Sequence, residues 1–229
     1  MRIFRKCLSF AYGVRGALSK LVVAAFIAAP LPAMAAPVTV LALGDSLTQG
    51  YGLAPEEGLV PALGRWLAEN GAEVELINAG VSGDTTAGGR ARVAWSLTPE
   101  VDAVIVELGG NDLLRGLPPE EARANLDAIL SEVSGRGLPT LLVGLPAPGN
   151  YGPRYKADFD AIWPELAAKY DAVLLPNLLA PIAELSPRDR AGRNLMQDDN
   201  IHPAPAGVAL VIEALGPKVL ELLAKVPAG

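Results

Sequence analysis

Residues 38–48 read VTVLALGDSLT. The first six residues form a short apolar run with β-branched side chains, which predicts a buried strand. The strand stops at Gly44, and Ser46 follows two residues later. In α/β folds, residues just past the carboxyl end of a strand lie where ligands bind. Ser46 is therefore a candidate nucleophile if a base reaches it. The alternative at this point is that Ser46 only caps a helix.

Two more strand-like runs end in glycine and polar residues: residues 76–85 read LINAGVSGDT, and residues 104–112 read VIVELGGND. Glycines at strand ends allow tight turns and expose backbone N–H groups. Acyl transfer needs such donors aimed at the developing oxyanion. We predict an oxyanion hole made by the backbone N–H of Ser46, the backbone N–H of Gly80 and the side chain of Asn111. Each glycine taken alone is more often part of an ordinary turn.

The chain has a single histidine, His202, in the run QDDNIHP at residues 197–203. Histidine is the commonest general base near neutral pH. A carboxylate three residues earlier, Asp199, can fold back onto one ring nitrogen and leave the other free for a nucleophile. The alternative is a structural histidine beside a proline turn, because short motifs often match by chance.

Apolar runs predict strands at about residues 38–43, 73–78, 102–108, 139–145 and 172–176, with helical segments between them. One helix is predicted over 119–133 and a last one over 205–225. The apolar positions of the first recur at helical spacing: Ala122, Leu126, Ile129, Leu130 and Val133. Alternating strands and helices predict one domain with a parallel sheet covered on both faces. Right-handed crossovers then place the loops of the three motifs at one edge of the sheet.

Taken in this order, the four segments resemble the SGNH (GDSL) hydrolase superfamily. The matching blocks are Gly44-Asp45-Ser46-Leu47, Asn78-Ala79-Gly80, Gly110-Asn111-Asp112 and Asp199-x-x-His202-Pro203. The closer likeness, over roughly residues 38 to 226, is to the bacterial periplasmic family of thioesterase I, protease I, lysophospholipase and arylesterase. Pro153 departs from that family's pattern, and residues 179–193 do not align in detail, but neither lies in the four blocks.

The resemblance implies a single-domain three-layer α/β/α sandwich of flavodoxin-like type with a five-stranded parallel sheet. It also implies a serine esterase for carboxylic ester and thioester bonds, with Ser46 as nucleophile, His202 as base and Asp199 as its partner. The order Ser…Asp…His is no obstacle, since such triads act by geometry.

The substrate is expected to be a small acyl ester or thioester. Leu113, Leu114 and Leu117 follow Asn111 directly and favour an acyl chain; with Tyr151 they are the candidate substrate-binding residues. They belong to two loops, 112–118 and 147–155, expected to wall the site and to move. A carbohydrate O-deacetylase with the same catalytic residues is the alternative; its site would present exposed aromatics near Ser46. A degenerate binding domain is disfavoured because all four catalytic residue types are present.

Other chemistries lack their motifs. The chain has no G-x-S-x-G nucleophile elbow, no phosphate-binding G-x-x-x-x-G-K-[ST] and no G-x-G-x-x-G after a strand. One histidine, and one cysteine at position 7, exclude a metal site built on His/Cys clusters. An all-carboxylate site stays open, but nothing suggests one. We expect no metal and no cofactor.

The amino terminus resembles a secretory signal peptide. Residues 2–20 carry five basic residues and no acid, residues 21–29 form a short apolar core, and Ala33-Met34-Ala35 is an A-x-A cleavage pattern. We predict a signal peptide over 1–35, cleavage after Ala35, a hydrolase domain over 36–229 and a periplasmic or secreted location. Cleavage removes Cys7 and lowers the formal charge from −6 to −11. We expect an acidic monomer with no electrostatic attraction to nucleic acid or anionic lipid and no stable membrane insertion after cleavage.

Overall fold

The computed structural model describes residues 37–227. The predicted signal peptide over 1–35 lies outside the described residues. Within the described part of the chain, no helix is both long and apolar enough to cross a bilayer.

Five strands form one parallel sheet in the order β2-β1-β3-β4-β5. Their bounds are β1 Val38–Gly44, β2 Val74–Gly80, β3 Ala103–Glu107, β4 Thr140–Val143 and β5 Val173–Leu175. This is the flavodoxin-like order. Strand β2 lies on one side of β1, and β3, β4 and β5 follow on the other side. The predicted five-stranded parallel sheet is confirmed, with strand ends within a few residues of the predicted ones.

Ten α-helices are described: α1 Ser46–Gln49, α2 Leu59–Glu69, α3 Thr86–Ser96, α4 Gly110–Leu114, α5 Pro119–Gly135, α6 Pro153–Asp160, α7 Ile162–Lys169, α8 Ala180–Ala183, α9 Pro187–Gly192 and α10 Pro205–Leu223. Single 3₁₀ turns cover Pro55–Glu57 and Gly149–Tyr151. The helices predicted over 119–133 and 205–225 are α5 and α10.

The sheet separates two apolar clusters, which makes the three-layer sandwich. One cluster joins the sheet to α3, α5, α6 and α7, and the other joins it to α2, α8 and α10. All five apolar positions predicted on α5 are at most 1% exposed. That burial follows from their helical spacing, which aligns them on the face toward the sheet.

The sheet topology places the functional segments together. In the register of the sheet, Gly44 at the end of β1 pairs with Gly80 at the end of β2 and with Glu107 at the end of β3. The carboxyl ends of three neighbouring strands therefore meet at one edge, as the right-handed crossover rule predicted.

Candidate active site

Ser46 is the first residue of α1, directly beyond β1. The N-cap of this helix is Asp45, whose Oδ1 accepts the backbone N–H of Leu47 at 3.0 Å. Asp45, and not Ser46, therefore caps the helix, so the alternative interpretation of Ser46 as a cap is wrong. The Ser46 N–H lies in the first helical turn, where backbone donors lack acceptors within the helix.

His202 lies on the tight loop between α9 and α10. An antiparallel bridge between Met196 and Pro203 closes the loop, and the Gln197 N–H donates to the His202 carbonyl at 2.9 Å. Asp199 Oδ1 accepts the backbone N–H groups of Ile201 at 2.9 Å and of His202 at 3.0 Å. The carboxylate therefore shapes the turn that brings the ring back toward it.

The three predicted side chains form one hydrogen-bonded line. His202 Nδ1 lies 2.6 Å from Asp199 Oδ2, and His202 Nε2 lies 2.8 Å from Ser46 Oγ. The backbone N–H of His202 is the main cause that lowers the pKa of Asp199, to about 2. Asp199 is therefore ionised at neutral pH, and an ionised partner on Nδ1 favours the tautomer whose Nε2 can accept the serine proton.

Two of the predicted oxyanion donors border the same edge. Gly80 packs against α1 so closely that an added Cβ would lie 2.7 Å from the Gln49 Cα, so only glycine fits. Its N–H points to Asn78 Oδ1 at 2.9 Å. Asn111 Nδ2 donates to Asp45 Oδ2 at 3.1 Å, which occupies one of its two hydrogens. A bound oxyanion could accept the second amide hydrogen of Asn111. It could accept the Gly80 N–H only by sharing that donor with Asn78 Oδ1 or by replacing Asn78 Oδ1 as its acceptor.

Known proteins resemble this chain over most of its length. Residues 42–210 match the model of the GDSL-like Lipase/Acylhydrolase family. The chain belongs to this family.

Three relatives illustrate the likeness. Esterase TesA of Pseudomonas aeruginosa is 37% identical over 194 residues, covering 84% of this chain and 93% of the relative. Thioesterase 1/protease 1/lysophospholipase L1 of Escherichia coli K12 is 40% identical over 172 residues, covering 74% and 77%. The crystal structure of esterase EstA from Pseudoalteromonas sp., inhibited by monoethylphosphonate, has a TM-score of 0.73 and 33% identity over 81% of this chain and 98% of that one. The resemblance seen in the sequence is confirmed, and the protein is a hydrolase of ester bonds.

The structure also contains a contact that the family motifs do not contain. Arg92 on α3 donates to the carbonyls of Gly44 at 2.8 Å and Ala79 at 2.7 Å, and it pairs with Asp84 at 2.7 Å. The arginine thus joins the ends of β1 and β2 beside Ser46 and Gly80. Sequence reasoning missed Arg92 because nothing in its own segment shows which carbonyls it meets.

Tyr51 is a second residue that sequence reasoning missed. Its ring lies 4.8 Å from the His202 ring, centroid to centroid, and it is 49% exposed. Gln197 Nε2 donates to the Tyr51 carbonyl at 2.8 Å, which ties the histidine loop to the segment after α1. An aromatic surface therefore borders the candidate active site in this member of the family.

The four predicted substrate-binding residues fall into two groups. Leu114 is 56% exposed and Tyr151 is 41% exposed, so both are free to contact a substrate. Leu113 packs against the apolar core, and Leu117 is partly buried. The two predicted loops touch each other, because the Tyr155 hydroxyl donates to the Leu117 carbonyl at 2.9 Å.

The space next to the candidate catalytic side chains is small. Ser46 and His202 line a cavity of about 20 Å³ whose other walls include Leu53 and Leu179. Pockets for drug-sized ligands are of the order of 300 Å³ or larger. A longer acyl chain would therefore extend beyond this cavity. Among residues 37–227 no group of three His, Cys, Asp or Glu side chains could hold a metal ion.

Proposed function

We propose that this protein hydrolyses carboxylic ester and thioester bonds of acyl substrates through an acyl-enzyme on Ser46. The observation that carries the proposal is the continuous hydrogen-bonded path from Asp199 through His202 to the Ser46 hydroxyl, with distances of 2.6 and 2.8 Å. Side chains in this relation activate a serine for attack on a carbonyl.

The reaction follows from the roles of these atoms. His202 Nε2 takes the hydroxyl proton while Ser46 Oγ attacks the carbonyl carbon, and Asp199 stabilises the resulting imidazolium. The oxyanion lies against the N–H groups of Ser46 and Gly80 and the Asn111 amide. The imidazolium then protonates the leaving alcohol or thiol. Water, deprotonated by the same nitrogen, attacks the acyl-enzyme and releases the acid and the free serine.

The substrates that we propose are small acyl esters and thioesters of the arylesterase, lysophospholipase and acyl-CoA thioesterase kinds. The relatives from Pseudomonas aeruginosa, an esterase, and from Escherichia coli, a thioesterase and lysophospholipase, support ester, thioester and lysophospholipid substrates. The exposed leucine at Leu114 supports an acyl chain lying across α4 toward Tyr151. Leu113 packs against the core, so it would support Leu114 from behind rather than contact the acyl chain itself.

A carbohydrate O-deacetylase is the second candidate, and one observation favours it. Tyr51 presents an exposed aromatic ring next to His202, and sugar sites commonly need such a ring. An acetyl group is also small enough for the cavity at Ser46. A comparison of acetylated oligosaccharides with p-nitrophenyl esters of increasing acyl length separates the two candidates.

We expect kcat/KM on p-nitrophenyl esters to rise with acyl length through short and medium chains and then to level off. Burial of each further CH₂ contributes about 0.8 kcal/mol, or roughly a fourfold gain in kcat/KM per carbon while the chain stays covered. The rise should level off where the chain leaves the protein surface. Steady-state kinetics from acetyl to dodecanoyl esters measures it.

Leu114→Ala and Leu117→Ala should flatten that rise more than they lower activity on the acetyl ester. Leu223→Ala is the matched control, because Leu223 is a partly buried leucine at the far end of α10. A wild-type enzyme that prefers acetyl to octanoyl esters would refute the acyl-groove proposal and favour the deacetylase.

We also propose that residues 1–35 are a signal peptide and that the mature chain, residues 36–229, acts as a monomer in the periplasm or outside the cell. The basic residues, apolar segment and A-x-A pattern support this. Intact-mass measurement of the exported protein should give a chain that begins at Ala36. A chain that retains Met1 and stays in the cytoplasm would contradict it.

A further inference from the structure

Strand β3 ends in a carboxyl group that the proposed reaction does not use. Glu107 is the last residue of β3 and is 2% exposed. It shares a strand face with Ala103 and Ile105, which belong to the apolar cluster under α2 and α10. Strands covered on both faces are otherwise apolar. A glutamic acid at this position therefore needs a physical reason.

The polar contacts of Glu107 all lead to the turn that carries Ser46. Its Oε2 accepts the Thr48 hydroxyl at 2.9 Å and the backbone N–H of Asp45 at 3.5 Å. Its carboxyl group is also a neighbour of the Asp45 carboxyl group. Oε1 is buried and has no hydrogen-bond partner.

The ionisable group that faces Glu107 is Asp45, on the turn between β1 and α1. Apart from Thr48, the other walls of the small cavity beside Glu107 are apolar: Ala42, Leu59, Val60, Leu63, Ile105, Val143, Leu178 and Leu215. These walls, which come from α2, α10 and the strands on either side, offer no cation to balance a negative charge.

Two buried carboxyl groups in contact retain one proton between them, because two adjacent negative charges repel and both lose hydration. Asp45 is the better anion, since its oxygens accept the Leu47 N–H and the Asn111 amide. Burial, and secondly the charge of Asp45, raise the pKa of Glu107 well above its usual range. The shared proton therefore belongs on Glu107, next to the Asp45 carboxylate.

We propose that Glu107 is a positioning residue, whose neutral carboxyl group accepts from Thr48 and donates to Asp45 and so fixes the turn of Ser46 and the amide of Asn111. The link to Asn111 runs through Asp45, whose Oδ2 accepts Asn111 Nδ2 at 3.1 Å. This inference rests on the proposed roles of Ser46 and Asn111.

Glutamine tests the proposal because its amide has the same shape and the same pattern of one acceptor and one donor side. Glu107→Gln should keep kcat within about twofold of the wild type. Glu107→Leu removes both bonds and should lower kcat by about tenfold or more with little change in KM, because a misdirected oxyanion donor is felt mainly in the transition state. Glu69→Gln, at an exposed glutamate on α2, is the matched control.

The pH dependence of stability gives a second readout that does not need the leucine variant to fold. A raised pKa means that folded Glu107 keeps a proton that the unfolded chain releases above about pH 4.5. Wild-type stability should therefore fall relative to that of Glu107→Gln as the pH rises from 4.5 to 8. Urea unfolding of both proteins across this range measures the difference.

Two results would overturn the proposal: Glu107→Gln as inactive as Glu107→Leu, or a stability of Glu107→Gln relative to wild type that stays level or falls with rising pH. Either result would show that Glu107 is not a neutral group that positions the turn of Ser46. Labelling of wild-type protein by a phosphonate at a serine other than Ser46 would instead refute the proposed function. That outcome is separate, because it leaves the pH dependence of stability unchanged.

Discussion

Replacing Ser46 with alanine should lower kcat on p-nitrophenyl esters by about 10⁶-fold, because the members of a catalytic triad act as a unit. His202 would keep its contact with Asp199 but would have no hydroxyl to deprotonate. What activity remains over uncatalysed hydrolysis would come from binding and the oxyanion donors. Steady-state kinetics on the purified protein gives the ratio.

The fold should survive this change. Helix α1 is capped by Asp45 and not by Ser46, so alanine removes no capping bond. The melting temperature of Ser46→Ala should therefore stay close to that of the wild type. Ser82→Ala is the matched control, since Ser82 is an exposed serine just after β2. Substantial hydrolysis by Ser46→Ala, with loss of activity in Ser82→Ala, would refute the assignment.

Replacing Asp199 with asparagine should lower kcat by about 10⁴-fold. The asparagine Oδ1 can still accept the N–H groups of Ile201 and His202, so the turn should form. Its Nδ2 would then donate to His202 Nδ1, which must accept. This favours the tautomer with the proton on Nε2, which cannot take the serine proton. The expected loss is therefore one of chemistry and not of folding.

The adjacent acid supplies the control for this prediction. Asp198 is exposed, and its carbonyl accepts the Asn200 amide at 3.3 Å. Asp198→Asn carries the same change in charge and should leave kcat within about twofold of the wild type, since exposed charges act weakly. A severe loss in Asp198→Asn together with a mild one in Asp199→Asn would mean that the wrong carboxylate has been assigned.

The low pKa of Asp199 also predicts how the stability difference between wild type and Asp199→Asn changes with pH. A carboxyl group whose folded pKa is lowered to about 2 stabilises the fold above its unfolded pKa and loses that contribution as the pH falls toward 2. The difference in stability between wild type and Asp199→Asn should therefore shrink between about pH 4 and pH 2. A difference that widens on acidification would contradict this.

The sequence predicted the parts that depend on local patterns. Apolar runs of five to seven residues located the strands, and the spacing of Ala122, Leu126 and Val133 located α5 and its buried face. The three-residue step from Asp199 to His202 predicted their contact, because a turn of that length brings the two side chains together. These features need no knowledge of distant segments.

The parts that were missed depend on contacts between distant segments. Arg92 reaches carbonyls 48 and 13 residues earlier, and Glu107 meets a threonine 59 residues earlier. No local pattern records such pairs. The packing of Leu113 against the core also depends on such contacts, since it is set by how the short helix α4 lies on the sheet. The bond from the Gly80 N–H to Asn78 likewise depends on how β2 ends against α1.

The measurement that tests the central claim most directly is the site of covalent labelling by a reactive organophosphonate ester. An activated serine nucleophile reacts with such a reagent far faster than other hydroxyl groups do. Peptide mass spectrometry of the wild type should find one phosphonyl group, on Ser46, with label and esterase activity changing in inverse proportion. Labelling of Ser46→Ala should be absent. Stoichiometric label on any other serine, with loss of activity, would contradict the account.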